Sequence, residues 1–326
     1  MVGDGVSRRD TLILAGGALA SVALTGRGAL AAAGGMAEPT GSVDQDIIGQ
    51  LRSYSAKYED TLLDVARRFG LGYTELVVAN RDVDVWLPGE GTEVLLPTAH
   101  ILPDAPRRGI VINLADQRMY FFAEDGAVIT HPIGIGREGW STPTGRTEIV
   151  RKAEHPPWYP PQSIRELQPD LPRVVPPGPS NPLGSRALYF SWPAYLMHGT
   201  NEPWGVGRRV SHGCVRLYNE NVETLYEKVP IGTQVTIVDQ EAKVGWAGDQ
   251  LMLEVHPSAE QGAELQANGT FRPRVVSDLP KRVVSATRER EAEVDWDAVD
   301  AVVRVRKGIP EPIGHAVEQT KTAQRG

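Results

Sequence analysis

The chain has a single cysteine in 326 residues, and its formal net charge of −7 shows no excess of basic residues. One cysteine cannot close an internal disulfide, which excludes a small disulfide-stapled scaffold. The lack of general positive charge disfavours a nucleic-acid-binding protein. A hydrophobic content of 41% with 23% charged residues is typical of a folded chain, and this length can hold two domains.

The sequence also lacks an apolar run long enough to span a bilayer, and its longest apolar run lies near the N-terminus. Ser7-Arg8-Arg9-Asp10 precedes the apolar run Leu12 to Leu24, which leads to small residues ending at Ala33. This order predicts a signal peptide of twin-arginine type over residues 1–33 and an exported, periplasmic mature protein. The alternative, a membrane anchor, is disfavoured because the run is shorter than the roughly 20 residues that a spanning helix needs.

Residues 50–98 are predicted to form a small β-α-α-β unit. Asp60 and Thr61 are both suitable N-caps for a helix that ends at Gly70, and the segment Thr74 to Ala79 predicts a second helix. Strands are expected on either side, at 51–56 and 93–96. The unit resembles a LysM module, which binds glycans containing N-acetylglucosamine, at Tyr54, Asp60-Thr61-Leu62, Ala66, Asn80, Pro88-Gly89 and Val94-Leu95-Leu96-Pro97. Glu59 departs from the glycine usual there, and a helical spacer without a ligand is the alternative.

From Gly109 onward the hydrophobic period changes to two, which predicts a β-rich domain over residues 108–239 and a mainly β protein overall. Prolines crowd the segment 156–182, so we expect a stiff excursion from the sheet there. Residues 257–326 form a polar C-terminal tail with one amphipathic helix predicted near 296–305. Docking against the rest of the chain and partial disorder both remain open for this tail.

The lone Cys214 lies in Ser211-His212-Gly213-Cys214-Val215-Arg216. A thiol must lose its proton to attack a carbonyl, and a histidine in hydrogen-bond reach takes that proton and later returns it. His212 is two residues away, whereas His198 is remote in sequence, as the base of thiol enzymes usually is. Gly213 leaves the backbone free to turn, so the amides of Gly213 and Cys214 are candidate donors to a developing oxyanion.

Together with His198-Gly199-Thr200, this cluster resembles the active-site signature of the L,D-transpeptidases of the YkuD or ErfK family. The stretches Gly134-Ile135-Gly136 and Thr142-Pro143-Thr144-Gly145 also match that family. The resemblance implies that Cys214 is the acylated nucleophile and His198 the general base and acid, oriented by the carbonyl of Gly199. It also implies that Ser211 and His212 support the thiol, that Gly213 and Cys214 form the oxyanion hole, and that Arg216 braces the loop or binds a substrate carboxylate. No metal and no cofactor are implied.

The family resemblance further implies peptidoglycan as partner, through its stem peptides and its glycan. Cys214 would attack the third residue of a tetrapeptide stem and release D-alanine. An amine of another stem would then give a 3-3 cross-link, a lysine of an envelope lipoprotein would give a wall-anchored protein, and water would make the enzyme a carboxypeptidase. The sequence does not choose among these acceptors.

Four other interpretations compete with this one. An isolated cysteine is commonly a buried small hydrophobe, and a zinc site at His198, His212 and Cys214 has acceptable ligand types but no regular spacing. A papain-like protease has its cysteine before its histidine, the reverse of the order here. A wall-binding protein without catalysis is the remaining alternative, and the presence of both the thiol and the histidine disfavours it.

Overall fold

The computed structural model describes residues 40–288 and 290–317, so the predicted signal peptide lies outside it. None of the helices in these two ranges has the length and apolar character needed to cross a bilayer.

The first elements form what we call the N-terminal unit, residues 40–101. They are β1 (Thr40–Ser42), β2 (Ile47–Gly49), β3 (Arg52–Ser55), α1 (Leu62–Arg68), α2 (Tyr73–Ala79), β4 (Glu93–Leu96) and β5 (Ala99–Ile101). The order β3-α1-α2-β4 is the one expected from the sequence, and β3 pairs antiparallel with β4. Thr61 caps α1 by accepting a hydrogen bond from the backbone N–H of Asp64, as its residue type favours.

The central region, residues 109–238, carries most of the strands. It consists of β6 (Gly109–Asn113), β7 (Arg118–Phe122), β8 (Ala127–Pro132), β9 (Ile135–Gly136), β10 (Gly145–Glu154), α3 (Gln162–Leu167), β11 (Arg186–Phe190), β12 (Leu196–His198), a 3₁₀ turn (Pro203–Gly205), β13 (Arg209–Ser211), β14 (Val215–Arg216), α4 (Asn219–Lys228) and β15 (Gln234–Val238). Nine strands form one sheet in the order β1-β8-β7-β6-β15-β10-β11-β12-β14. The expectation of a mainly β protein is confirmed.

One face of this sheet packs on α4 and builds the main core. Apolar side chains from β6, β7, β10, β11, β12, β14 and β15 meet Val222 and Leu225 of α4 there. Met197 and Val215, which are partners in the parallel β12–β14 pair, both belong to this core. Because side chains alternate along a strand, their neighbours on β12 and next to β14 face the opposite side.

The proline-rich excursion folds over that opposite side. Trp158 pairs through its backbone with Val175, and the single helix in the segment is the six-residue α3. Trp158 packs on a small apolar cluster of Leu183, Ala187 and Leu196, and Cys214 packs against the same cluster. The excursion therefore contributes a wall beside the lone thiol.

The C-terminal residues form a further folded unit that the sequence analysis did not foresee. Its elements are β16 (Ala242–Ala247), β17 (Gln250–Val255), α5 (Ala259–Asn268), α6 (Leu279–Ala286), β18 (Ala292–Val294), α7 (Trp296–Val305) and β19 (Glu311–Ala316). The strands form a sheet in the order β16-β17-β19-β18 with its own apolar core. Helix α7 lies where it was predicted. This unit begins near residue 242 rather than 257, and its described part docks on the N-terminal unit, where Leu265 and Phe271 enter the core.

A buried chain of ion pairs joins the three parts. Arg118 of β7 donates to both carboxylate oxygens of Glu75 in α2, at 3.1 and 2.8 Å. Further along, Lys243 of β16 contacts Asp116 and Glu254, each at 2.8 Å. All five side chains are almost fully buried. Buried charges are costly unless paired, so each part supplies an opposite charge that a buried charge of another part needs.

Candidate active site

The register of the sheet brings His198 and Cys214 to one face. In the parallel pair β12–β14, Met197 lies opposite Val215 and His198 opposite Arg216. Continuing this register places Cys214 beside Leu196, one pleat from His198. His198 and Cys214 are therefore diagonal neighbours on the same face of the sheet. Cys214 is partly exposed, and His198 is 4% exposed.

The imidazole of His198 is held by backbone carbonyls. Its Nδ1 lies 2.6 Å from the carbonyl oxygen of Gly199, and because a carbonyl can only accept, Nδ1 carries the hydrogen. Burial lowers the pKa of His198 to about 3, and the charge of Arg216 acts in the same direction, while the carbonyls of Gly199 and Pro182 oppose it. The resting ring is therefore neutral, and the two carbonyls favour the imidazolium that proton uptake would create.

The thiol of Cys214 is likewise uncharged at rest. Burial raises its pKa, and the backbone N–H of Leu196 and the charge of Arg216 act in the opposite direction. The sulfur lies 3.5 Å from the carbonyl oxygen of Ala194, to which the thiol donates. At neutral pH the thiol and the imidazole are thus both uncharged, and a thiolate has to form by proton transfer during the reaction.

Ser211 and Thr142 hold the turn that precedes Cys214. Ser211 Oγ donates to the carbonyl of Cys214 at 2.6 Å and accepts from the N–H of Gly213 at 3.2 Å. Thr142 Oγ1 donates to the carbonyl of Gly213 at 2.9 Å and accepts from the N–H of Gly136 at 3.1 Å. Since the Gly213 amide is engaged by Ser211, it would have to leave this hydroxyl to serve as the expected oxyanion donor.

Gly213 itself has a backbone conformation that favours glycine. Its φ angle is +102°, and a Cβ added there would lie 3.0 Å from a ring carbon of Tyr195 and 3.5 Å from the carbonyl oxygen of Trp140. A side chain at this position would strain the backbone and press on the neighbouring ring. The turn that presents the thiol therefore requires the glycine found in the motif.

The contacts of His212 are with the loop after β9 and not with the thiol. Its Nε2 lies 3.0 Å from Nη2 of Arg137, and its ring packs edge-on against Trp140 at 5.0 Å between centroids. Burial lowers the pKa of His212, and the charges of Arg137 and Arg216 act in the same direction. His212 thus ties the thiol turn to the loop after β9, and its supporting role stays a prediction.

Arg216 lies directly beside His198 and is paired on its other side with Glu202, at 3.3 Å. The loop after His198 is fixed by Asn219, whose Oδ1 accepts from the N–H groups of Ser185 and Thr200 at 3.2 and 3.1 Å. A Cβ at Gly199 would meet that same oxygen. Asn219 therefore fixes the backbone that orients the imidazole.

A separate group of potential metal ligands occurs elsewhere within the two described ranges. Oxygen and nitrogen atoms of Asp116, Glu254 and His256 lie within 4.8 Å of one another, all buried. The ammonium of Lys243 stands among them, 2.8 Å from each carboxylate. A lysine thus already supplies the positive charge that this acidic pair needs.

Several contributors to the site were not singled out from the sequence. Trp140, Arg137, Asn219 and the carbonyls of Pro182 and Ala194 act through contacts between distant segments or through the backbone, which carry no local pattern. Thr142 had a signal, since it belongs to the motif Thr142-Pro143-Thr144-Gly145 that follows β9.

Comparison with known proteins fits this architecture. Residues 107–237 match the YkuD family, described as the L,D-transpeptidase catalytic domain. The chain is 36% identical over 274 residues to the "Probable L,D-transpeptidase ErfK/SrfK" of Salmonella typhimurium, covering 81% of this chain and 86% of that one. It is 39% identical over 253 residues to the "Probable L,D-transpeptidase YbiS" of Escherichia coli K12, covering 75% and 80%. The "Probable L,D-transpeptidase YcfS" of the same strain is 34% identical over 256 residues, covering 76% and 78%.

The fold and the site define a mainly β protein with a thiol and an imidazole on one face of its sheet. At this level of identity and coverage, the chain belongs to the L,D-transpeptidase family, of the YkuD and ErfK type. The family predicted from the sequence is confirmed, whereas the LysM assignment of residues 50–98 stays a prediction.

Proposed function

We propose that this chain is an exported, cysteine-dependent L,D-transpeptidase that acts on the tetrapeptide stems of peptidoglycan. The observation that carries the proposal is the parallel register of β12 and β14, which puts His198 and Cys214 on one face, one pleat apart. Family membership supplies the reaction class. Export rests on the twin-arginine pattern within residues 1–33.

In the proposed reaction, the thiol proton of Cys214 passes to the unprotonated nitrogen of His198 as sulfur attacks the carbonyl carbon of the third stem residue. The oxyanion of the tetrahedral intermediate accepts from the amide of Cys214, and from the amide of Gly213 once this amide leaves Ser211 Oγ. Collapse breaks the amide bond, and the departing D-alanine amine takes the proton back from His198. The product of this half is a thioester on Cys214.

In the second half, an acceptor amine attacks the thioester carbonyl and gives its proton to His198. Sulfur leaves as thiolate and recovers that proton, so the enzyme returns to its starting state. The acceptor is a side-chain amine of another stem, giving a 3-3 cross-link, or a lysine of an envelope lipoprotein; with water the enzyme acts as a carboxypeptidase. Arg216 would bind a carboxylate of the stem in exchange for its pairing with Glu202.

Product analysis tests this proposal. Purified protein lacking residues 1–33 is incubated with disaccharide-tetrapeptide, with and without a lysine-ending lipoprotein peptide, and the products are identified by mass. We expect D-alanine release, and we expect Cys214→Ala to abolish it. A carbapenem should add one covalent equivalent to Cys214 and none to Cys214→Ala. A folded protein that gives neither product nor adduct would be a binding protein without catalysis.

Export is tested separately. Residues 1–35 fused to a reporter that is active only outside the cytoplasm should give activity in cells with a twin-arginine pathway. Changing Arg8 and Arg9 to lysine should abolish that activity. Export that persists unchanged after this substitution would contradict a twin-arginine signal.

A further inference from the structure

A cleft of about 320 Å³ lies between the N-terminal unit and the central region, outside the thiol site. Helix α1, the loop before β4, the 3₁₀ turn and the start of α4 surround it. Its lining includes Thr61, Asp64, Arg67 and Trp86 of the N-terminal unit and Trp204 and Tyr218 of the central region. This volume is at the lower end of the range for small-molecule sites.

Two tryptophans from different parts of the chain line this cleft. Trp86 of the N-terminal unit is 62% exposed, and Trp204 of the 3₁₀ turn is 55% exposed. Tryptophan is enriched at binding interfaces because its ring is apolar while its N–H can donate to a polar partner. Thr61, Asp64 and Arg67 supply polar groups beside them. A ligand with flat apolar faces and hydroxyl groups at its rim, as a sugar ring has, matches this combination.

The cleft is held in shape before any ligand arrives. The backbone N–H groups of Tyr73 and Thr74 donate to the carbonyls of Val206 and Gly207, at 3.2 and 3.1 Å. Arg67 makes a two-pronged ion pair with Glu220 of α4, at 2.7 and 3.0 Å. Because these bonds fix one wall against the other, binding would require little reorganisation.

The cleft also neighbours the thiol site. Gly205, next to Trp204, approaches the Arg216 side chain so closely that a Cβ on it would lie 3.6 Å from Nη1. Arg216 is in turn the strand partner of His198. An extended stem spans about 3.3–3.6 Å per residue, so the third residue lies about 10 Å from the sugar that bears the stem. The stem of a sugar bound in the cleft would have to cover the separation between the cleft and the thiol with that length.

We propose that the cleft between Trp86 and Trp204 binds an N-acetylated sugar of the glycan strand whose stem enters the active site. This inference rests on the proposed function and names how that substrate is recognised. It differs from binding by the N-terminal unit alone, because Pro203, Trp204, Val206 and Tyr218 belong to the central region.

Direct titration tests the cleft without turnover. The Cys214→Ala protein is titrated calorimetrically with a soluble oligomer of four N-acetylglucosamine units. Trp86→Ala and Trp204→Ala, each added to that protein, should raise the Kd at least 10-fold. The matched control is Trp296→Ala, a 47% exposed tryptophan in α7 that does not line the cleft. Absence of binding to the parent, or equal Kd values in all four proteins, would overturn the proposal.

Kinetics separate this proposal from the proposed function. With Cys214 intact, the ratio of kcat/KM for disaccharide-tetrapeptide to that for the bare tetrapeptide should exceed one, and both cleft variants should lower it through KM. Turnover with an unchanged ratio in both variants would reject the cleft and keep the enzyme. Oligosaccharide binding without any D-alanine release would reject the enzyme and keep the cleft. Thermal melting of each variant identifies any that fails to fold. Because Trp86 and Trp204 lie on separate segments, the variant that does fold still tests the cleft.

Discussion

Nδ1 of His198 donates its hydrogen to the carbonyl oxygen of Gly199, the next residue in the chain, across 2.6 Å. The bond selects one tautomer and leaves the other ring nitrogen as the basic one. Because Asn219 holds the backbone around Gly199, the orientation of the imidazole depends on α4 as well as on β12.

The protonation states of this pair predict how the thiol reacts with pH. Burial raises the pKa of Cys214, and the pKa of His198 is lowered to about 3. At neutral pH there is no thiolate–imidazolium pair, so alkylation by iodoacetamide should accelerate continuously from pH 6 to pH 9. Mass spectrometry of the alkylated protein measures this rate. A rate plateau already reached below pH 7 would show a preformed ion pair and contradict the prediction.

The hydroxyl of Thr142 is expected to matter for turnover. Thr142→Val keeps the shape but removes the bonds to Gly136 and Gly213, so the turn that carries Cys214 loosens. We expect kcat/KM for D-alanine release to fall about 10-fold, corresponding to about 1.4 kcal/mol, and Thr142→Ser to restore most of it. Thr144→Val, at an exposed position of the same motif, is the control. Equal activity of the two valine variants would argue against this role.

Removing one partner of the buried pair between β7 and α2 should destabilise the fold strongly. Arg118→Met leaves Glu75 buried without its guanidinium, which typically costs about 3–5 kcal/mol. Arg282→Met, which removes a partly exposed pair with Asp278, should cost at most about 1 kcal/mol. Urea unfolding followed by circular dichroism compares them. Similar losses in both variants would mean that the buried pair contributes little.

Because His198 is buried in its neutral form, we expect the folded protein to lose stability as the pH falls. An unfolded His198 binds a proton near pH 6.5, whereas its folded pKa is lowered to about 3, so the unfolded state gains protons first as the pH falls. Stability is therefore full above about pH 6.5 and is lost progressively from there toward pH 3. At pH 5 the loss from this residue is about 2 kcal/mol.

Urea titrations at pH 7 and pH 5 check this dependence. His198→Asn should lose less stability between the two pH values than the parent does, whereas His155→Asn, at an exposed loop position, should lose as much as the parent. A His198→Asn variant with the same pH dependence as the parent would disprove the assignment.

Much of the fold follows from local patterns, and the rest depends on distant contacts. Thr61 and the apolar spacing after it predict α1, and the amphipathic run after Asp295 predicts α7; both helices are found there. Strand β10 was not anticipated, because its exposed positions carry charges and a register shift interrupts its pairing. Strands β16 and β17 were also missed, although together they form half of the C-terminal sheet.

The site shows the same division. The motif around Cys214 indicates which residues to examine, and the parallel register places His198 beside them. Contacts such as Arg118 with Glu75, 43 positions apart, or Lys243 with Asp116, 127 positions apart, have no trace in either segment alone. Their existence depends on how three packed parts meet.

The buried pair of Arg118 and Glu75 restricts how this chain can be recombined. A graft that exchanges the N-terminal unit for a foreign module would leave the guanidinium of Arg118 without its carboxylate, and a graft lacking β16 would leave Asp116 without its ammonium. A chimera is therefore expected to fold only when both members of each pair are transferred together.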